Sequence, residues 1–297
     1  MRPGNLFKAL LLVPLFVAMA TPHISLASDE SYQRPSIGLA LSGGGARGSA
    51  HLGVLRVLEE LNIPVDYIAG TSMGSIIGGL YASGMSVDEI EQALVDIKWE
   101  DIFSDLQPRE ERRFRRKIDD YLYLVRHRIG IDDEKGKVNL APALIQGQKF
   151  DLVLRRYLLP VSGVQDFDDL RIPFRAVATD IVTGRAAVLD SGDLPTAIRA
   201  SMAVPAVFAP VKMNDKLLVD GGIAMNLPVS VVREMGADIV IAVDISTPGL
   251  KREEIQSALD MLNQLSALLT RRDTDIQIAS LTSRDVLIVP ELGDKVT

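Results

Sequence analysis

Twice in quick succession an apolar run ends in a glycine-bounded turn and gives way to a helical pattern, and no other feature of the chain constrains its fold as much. Ser36-Ile37-Gly38-Leu39-Ala40-Leu41 reads as a short buried strand running into Gly43-Gly44-Gly45-Ala46-Arg47-Gly48. Leu52, Leu55, Leu58 and Leu61 then recur at helical spacing until Asn62 and Pro64 stop the pattern. Tyr67-Ile68-Ala69 is a second, very short strand. It enters Gly70-Thr71-Ser72-Met73-Gly74, and Met73 to Ser83 follows as a helix closed by Gly84. Ser86 with Glu89 spells a capping box that opens a third helix. Strand–helix–strand–helix order predicts an α/β fold in three layers, a mostly parallel sheet with helices on both faces.

From about Trp99 to Gln148 the character changes. The stretch is rich in charge and lacks a clean period; Arg109, Arg112, Arg113, Arg115, Arg116 and Lys117 crowd into nine residues, and Asp132 to Lys137 reads as an exposed turn. A mobile insertion over the sheet edge is expected here. The basic run is either a solvated helix face, helped by Glu110 and Glu111, or a contact for an anionic lipid surface. Order then returns. Phe174 to Thr179 and Ala186 to Leu189 read as strands joined by a turn containing Gly184, and Asp193-Leu194-Pro195 opens a helix. Lys216 to Val219 and Asp238 to Val243 read as strands, Arg252 to Thr270 as a long amphipathic helix, and Val286 to Val289 as a last strand.

Gly-x-Ser-x-Gly between strand and helix is the pattern of a nucleophile elbow. The turn is so sharp that Gly70 and Gly74 leave no room for a Cβ, and Ser72 is lifted off the sheet at a helix N-terminus, whose dipole favours negative charge. The competing reading is a serine helix cap. The first glycine motif also matches the dinucleotide fingerprint, but that needs an acidic residue at the end of the next strand; Asp66 precedes that strand, and no Gly-Lys-Ser/Thr closes a P-loop. An oxyanion hole fits better, with bare N–H groups of Gly44 and Gly45 converging on a developing charge. Arg47 either steers an anionic head group or braces the loop.

A serine needs a base, and the chain has three histidines: His23, His51 and His127. His127 stands between Arg126 and Arg128 in the charged insertion, a poor place for a rigid base. His51 lies on the first helix and reads more readily as a packing residue than a catalytic one. Asp220 ends the apolar run Leu217-Leu218-Val219 and enters the turn Gly221-Gly222. A carboxylate desolvated there gains the basicity that general-base work requires, although a plain turn aspartate has the same local sequence.

With these motifs in this order the chain resembles the patatin-like phospholipase family from about Ile37 to Val243. Thr179-Asp180, Thr183-Gly184-Arg185 and Ala197-Ile198-Arg199-Ala200-Ser201-Met202-Ala203-Val204-Pro205 add to the match. The resemblance implies a Ser72–Asp220 dyad, an oxyanion hole from the glycine loop (Gly43, Gly44, Gly45, Arg47, Gly48), and calcium-independent hydrolysis of phospholipid or other acyl-ester lipids, with no cofactor and no metal. The same residues would serve a lysophospholipase, a general carboxylesterase, or a catalytically silent protein that binds membrane surfaces.

Arg2 and Lys8 precede an apolar stretch from Ala9 to Ala20, and Ser25-Leu26-Ala27 supplies the small residues of a cleavage site. Residues 1–27 are expected to be a signal peptide, 28–35 a linker and 36–297 the patatin-like domain. An uncleaved anchor is the alternative, against which the apolar stretch is short for a span of roughly 20 residues. Export to a bacterial periplasm, outer envelope or medium follows, which suits a chain with no cysteine. Loss of Arg2 and Lys8 takes the formal net charge from -7 to -9, an acidity that argues against general nucleic-acid binding. A membrane surface is the expected partner. The ending Leu287 to Asp294 resembles exported bacterial members, some of which continue into an outer-membrane barrel.

Overall fold

A computed structural model describes residues 34–102, 129–132, 137–140, 145–205, 207–246, 249–250 and 252–292. The two strand–helix units at the start lay out the rest. β1 (Ile37–Leu41) leads through a short 3-10 turn (Gly45–Gly48) into α1 (Ser49–Glu60), and β2 (Tyr67–Thr71) leads directly into α2 (Met73–Ala82). β1 and β2 pair in parallel, Gly38 opposite Tyr67 and Leu41 opposite Gly70. Burial of Leu52, Leu55 and Leu58 fixes the inner face of α1, whereas Leu61 lies past the helix and is exposed. The left-handed Asn62 (φ 52°) turns the chain away. α3 (Val87–Asp96) begins with the Ser86–Glu89 capping box, both reciprocal bonds being present.

Further on come α4 (Trp99–Ile102), a hairpin of β3 (Ile129–Asp132) with β4 (Lys137–Leu140), and α5 (Gln148–Tyr157). The basic run from Arg109 to Lys117, and with it the expected mobile insertion's most charged part, lies outside the described residues. β5 (Phe174–Asp180) and β6 (Arg185–Leu189) form an antiparallel hairpin whose turn holds Gly184 at φ 71°. α6 (Leu194–Ser201) is capped by Asp193, which accepts from the Thr196 N–H.

β7 (Val211–Met213) and β8 (Lys216–Asp220) make another hairpin, whose first strand the sequence pattern did not reveal. It turns on Asn214 and Asp215, both at positive φ, the backbone a two-residue hairpin loop requires. α7 (Val229–Glu234) precedes β9 (Ile239–Val243). The last long helix, α8, runs Ala258–Ala279 rather than Arg252 to Thr270. A capping box of Ser257 and Asp260 sets its start, and buried Thr274 and Gln277 carry it past Thr270. β10 (Val286–Ile288) closes the sheet edge beside β9.

The main sheet runs β10-β9-β1-β2-β5-β8-β7, with β6 on β5. β10, β9, β1, β2 and β5 are mutually parallel. Alternation along the strands sorts two cores. Leu39, Leu41, Ile68, Phe174, Ile241 and Val243 point to one face, where Leu55, Ile77, Leu80, Phe150 and Ile198 of the helices meet them. Ala40, Ala69, Val177, Val240 and Ala242 point to the other, against Val229, Val231 and Val232 of α7. Large residues on one side and mostly small ones on the other produce a thick layer and a thin one, the three-layer arrangement expected from the motif order.

One irregularity of this sheet matters most. β6 occupies one edge of β5 from Ala176 to Asp180. The opposite edge is shared: β2 pairs with it as far as Val177, opposite Thr71, and β8 takes over at Ala178, opposite Asp220. The C-terminal ends of β2 and β8 therefore abut, and Ser72 and Asp220 leave the sheet at one seam.

Candidate active site

Ser72 adopts φ 50°, ψ −119°, a region that side-chain-bearing residues rarely occupy. Its neighbours hold it there. A Cβ on Gly70 would lie 2.3 Å from the Gly74 carbonyl oxygen, and one on Gly74 would lie 2.4 Å from that of Leu41, so the elbow is pressed against itself and against the end of β1. The Ser72 carbonyl accepts from the Ser75 N–H at 2.9 Å and the Ser75 hydroxyl at 2.7 Å. The Ser72 N–H donates to Ser201 Oγ at 2.9 Å, and the Ser201 hydroxyl donates to the Val177 carbonyl at 2.5 Å. Ser201 is a residue that motif reasoning quoted without assigning it work; it sits at the end of α6 and ties the elbow to β5.

Asp220 arrives from the other side of the seam. Its N–H donates to the Ala203 carbonyl at 2.9 Å, and its Oδ1 accepts from the Gly222 N–H at 2.8 Å. Gly221 fills the seam: a Cβ there would stand 2.1 Å from the Val177 carbonyl oxygen. Oδ2 is buried and lacks a partner at good hydrogen-bond geometry. Burial pushes the carboxyl up to about 6, against the Ser72 hydroxyl and the Gly222 N–H, which both favour the charged form. The hydroxyl is thus near enough to be felt electrostatically yet not seated on Oδ2. Oδ2 is the open acceptor on the Ser72 side of the seam.

The glycine loop lies beside the same serine. A Cβ on Gly43 would be 3.0 Å from Ser72 Cβ, and one on Gly48 would be 1.9 Å from Met73 Cγ. Gly44 opens the 3-10 turn and Gly45 is its first residue, at φ 56°; among the described residues neither N–H is bonded to an acceptor. Arg47 is tied by its N–H to the Gly44 carbonyl at 3.2 Å, and its Nε is buried without a partner among the described residues.

His51 is fully buried, with Nε2 2.8 Å from the Ser42 carbonyl at the root of the glycine loop. Burial lowers it to about 4, so it is neutral at pH 7 and donates its Nε2 proton to Ser42. It packs and braces the loop, as its helical position suggested. His23 and His127 lie outside the described residues.

Ser72 also lines a cavity of about 880 Å³ that the sequence did not disclose. Its walls include Gly45, Met73, Ile76, Leu94, Trp99 and Phe208, drawn from the glycine loop, α2, α3, α4 and the segment after α6. They are largely apolar. Arg56 and Glu91, joined at 2.8 Å, belong to its solvent-facing rim. Among the described residues no group of three or more His, Asp or Glu is placed to hold a metal ion, and no helix is long and apolar enough to cross a membrane.

The patatin-like phospholipase family model matches residues 39–233, a span holding the glycine loop, the elbow and the Asp220 turn. The chain belongs to the patatin-like phospholipase family. It is 33% identical over 212 residues to an uncharacterized NTE family protein of Mycobacterium bovis, covering 71% of this chain and 49% of that protein. It is 32% identical over 212 residues to lysophospholipase NTE1 of Yarrowia lipolytica, covering 71% of this chain and 13% of that protein. The chain therefore spans about half the length of the first relative and far less of the second. Among solved structures it aligns with VipD from Legionella pneumophila at a TM-score of 0.45 and 15% identity, over 86% of this chain and 61% of that one.

Proposed function

We propose that this patatin-like protein is a serine acyl hydrolase that cleaves carboxylic esters of phospholipids or related lipids with a Ser72–Asp220 dyad and without calcium. One observation carries the reading: a serine held in a strained elbow faces a buried carboxylate whose second oxygen has no partner. Asp220 Oδ2 takes the Ser72 proton as Oγ attacks the ester carbonyl. The N–H groups of Gly44 and Gly45 receive the oxyanion. As the carbon–oxygen ester bond breaks, the alcohol leaves with the proton from Asp220. Water then attacks the acyl-enzyme, giving a proton to Asp220, which passes it to Ser72 Oγ as the acyl–oxygen bond breaks and the carboxylic acid leaves. The apolar cavity accommodates the acyl chain, with the head group toward solvent. A carboxyl poised near 6 is a competent base at neutral pH.

A lysophospholipase specificity is the second reading, favoured by the name of the yeast relative. Residues 1–27 serve as an export signal in this proposal, placing the enzyme in a bacterial envelope or medium, beside membrane lipids. The test combines a fluorophosphonate probe with a panel of phospholipids and lysophospholipids, products identified by mass, in the presence and absence of EDTA. Labelling at Ser72 and chelator-resistant release of fatty acid are expected. An unlabelled protein, folded by circular dichroism and inert on the whole panel, would leave only a membrane-binding role.

A further inference from the structure

We propose that α8, which lies wholly beyond the span matched by the family, belongs to the catalytic apparatus, and that Thr270 is a positioning residue for Asp220. This rests on the reading of Asp220 as base. Four of the bonds that hold the turn carrying Asp220 bear on this. The Asp220 N–H is bonded to the Ala203 carbonyl at 2.9 Å, and the Gly221 carbonyl accepts from the Met225 N–H at 2.8 Å. The Gly222 N–H grips Asp220 Oδ1 at 2.8 Å. The fourth is made at the Gly222 carbonyl, which accepts from the Thr270 hydroxyl at 2.8 Å. The first three come from inside the family span; the fourth comes from α8.

Gly222 is a thin spacer between the carboxylate and that hydroxyl. A Cβ on it would stand 3.0 Å from Asp220 Oδ1 and 3.6 Å from Thr270 Oγ1. Movement of Gly222 is thus passed on to the oxygen that orients the base. Thr270 also departs from what a threonine inside a helix does by default, which is to bond a carbonyl one turn back. Thr274, one turn later on the same helix, does so, donating to the Thr270 carbonyl at 2.8 Å. Thr270 instead reaches out of its helix to the turn.

The way α8 is attached points the same way. Polar side chains help to fasten it: Gln277 accepts from the Ser230 N–H at 3.0 Å, and the half-exposed Arg271 reaches the buried Asp244 at 3.5 Å. Met261, Leu265, Leu268, Leu269 and Ile276 are exposed. A helix held only for stability would turn its leucines inward. This one spends part of its inner face on hydrogen bonds to Gly222 of the Asp220 turn and to Ser230.

The test compares Thr270→Val, which keeps the shape and removes the hydroxyl, with Thr270→Ser, which keeps the hydroxyl. Thr274→Val, on a buried threonine one turn along the same helix, is the packing control. Hydrolysis of p-nitrophenyl butyrate is followed from pH 4.5 to 8.5, alongside Ser72→Ala. The charged side chains on neighbouring elements, Asp180, Asp244, Arg271 and Asp273, are not among the groups that shift Asp220, so its acid limb reports burial, Ser72 and the Gly222 N–H. Thr270→Val is expected to lower kcat/KM about ten- to a hundredfold, the effect of a misplaced catalytic group. Its acid limb should move to higher pH as the grip of the Gly222 N–H loosens. Thr270→Ser should restore both, and Thr274→Val should leave both near wild type. Wild-type rate and acid limb in Thr270→Val, or equal damage in Thr270→Ser, would overturn the proposal. Should Thr270→Val fail to fold, Thr270→Ala against Thr270→Ser decides on the same two readouts. Persistent hydrolysis in Ser72→Ala would sink the reading of the site itself, whereas a dead Ser72→Ala with an unaltered Thr270→Val removes only the role of Thr270.

Discussion

Two residues at the seam are held where neither is most stable, and that is their common signature. Ser72 sits at φ 50°, which costs a side-chain-bearing residue about 1–3 kcal/mol. Asp220 is raised from 3.8 to about 6 by burial. Loss of the proposed nucleophile, Ser72→Ala, is expected to reduce turnover by a factor on the order of 10⁶, read as ester hydrolysis by folded protein. The folded pKa of Asp220 lies above the unfolded one, so the ionised carboxylate opposes folding above about pH 6, and the penalty fades as pH falls toward 3.8. That gap corresponds to a penalty on the order of 3 kcal/mol. Asp220→Asn should therefore be inactive yet more stable than wild type at pH 8, with the advantage gone by pH 4. His51 runs the other way: lowered from 6.5 to about 4, it costs stability as pH falls through that window, in wild type and variant alike. Urea midpoints at pH 8, 6 and 4 for both proteins check this, and an Asn variant no more stable at pH 8 than at pH 4, relative to wild type, contradicts it.

At the level of elements, the local signals were legible and the distant ones were not. The Ser86–Glu89 capping box, the Asp193 cap, the elbow and the Asp220 turn all depend on neighbours a few residues away, and each stands where the sequence pattern put its element. α8 differs from the expected span at both ends: the Ser257–Asp260 box sets a later start, and the exposed Leu265, Leu268 and Leu269 imitate a buried stripe that ends at Thr270. The role of Ser201 was hidden for a different reason: it bonds Ser72, 129 residues away in sequence, so nothing local marks it. Its hydroxyl serves a donor and an acceptor at once, joining α6 to the elbow and to β5. Ser201→Ala should leave the Ser72 N–H and the Val177 carbonyl unpaired, at a cost of about 1–3 kcal/mol for each buried group left so. The expected outcome is a lower urea midpoint together with hydrolysis reduced beyond what the unfolded fraction explains. A variant destabilised but fully active per folded molecule would mean that the elbow keeps its shape without α6.

For the whole molecule, the strand–helix order sufficed to anticipate a layered α/β body, but not the cavity, because its lining is collected from segments far apart in sequence. The seam explains why the cavity opens where it does. With β2 and β8 ending head to head along β5, the glycine loop and the first turn of α2 crown one point of the sheet, and α3 and the segment after α6 wall the space above it. An acyl chain entering there exchanges water for Ile76, Leu94, Trp99 and Phe208. Each methylene buried is worth about 0.8 kcal/mol, so kcat/KM for p-nitrophenyl esters should climb up to about fourfold per added carbon until the chain outgrows the space. Val204 lines the cavity and is 38% exposed, so it can be enlarged without overpacking the core. Val204→Trp should shorten the usable space: the acetate ester is expected to react at close to the wild-type rate, while the decanoate ester loses about tenfold or more, the size of effect that pocket shape imposes on apolar substrates. The ratio of the two rates is the readout, since a general loss of folded enzyme lowers both alike. An unchanged ratio would place the acyl chain elsewhere and detach the cavity from the Ser72 reaction.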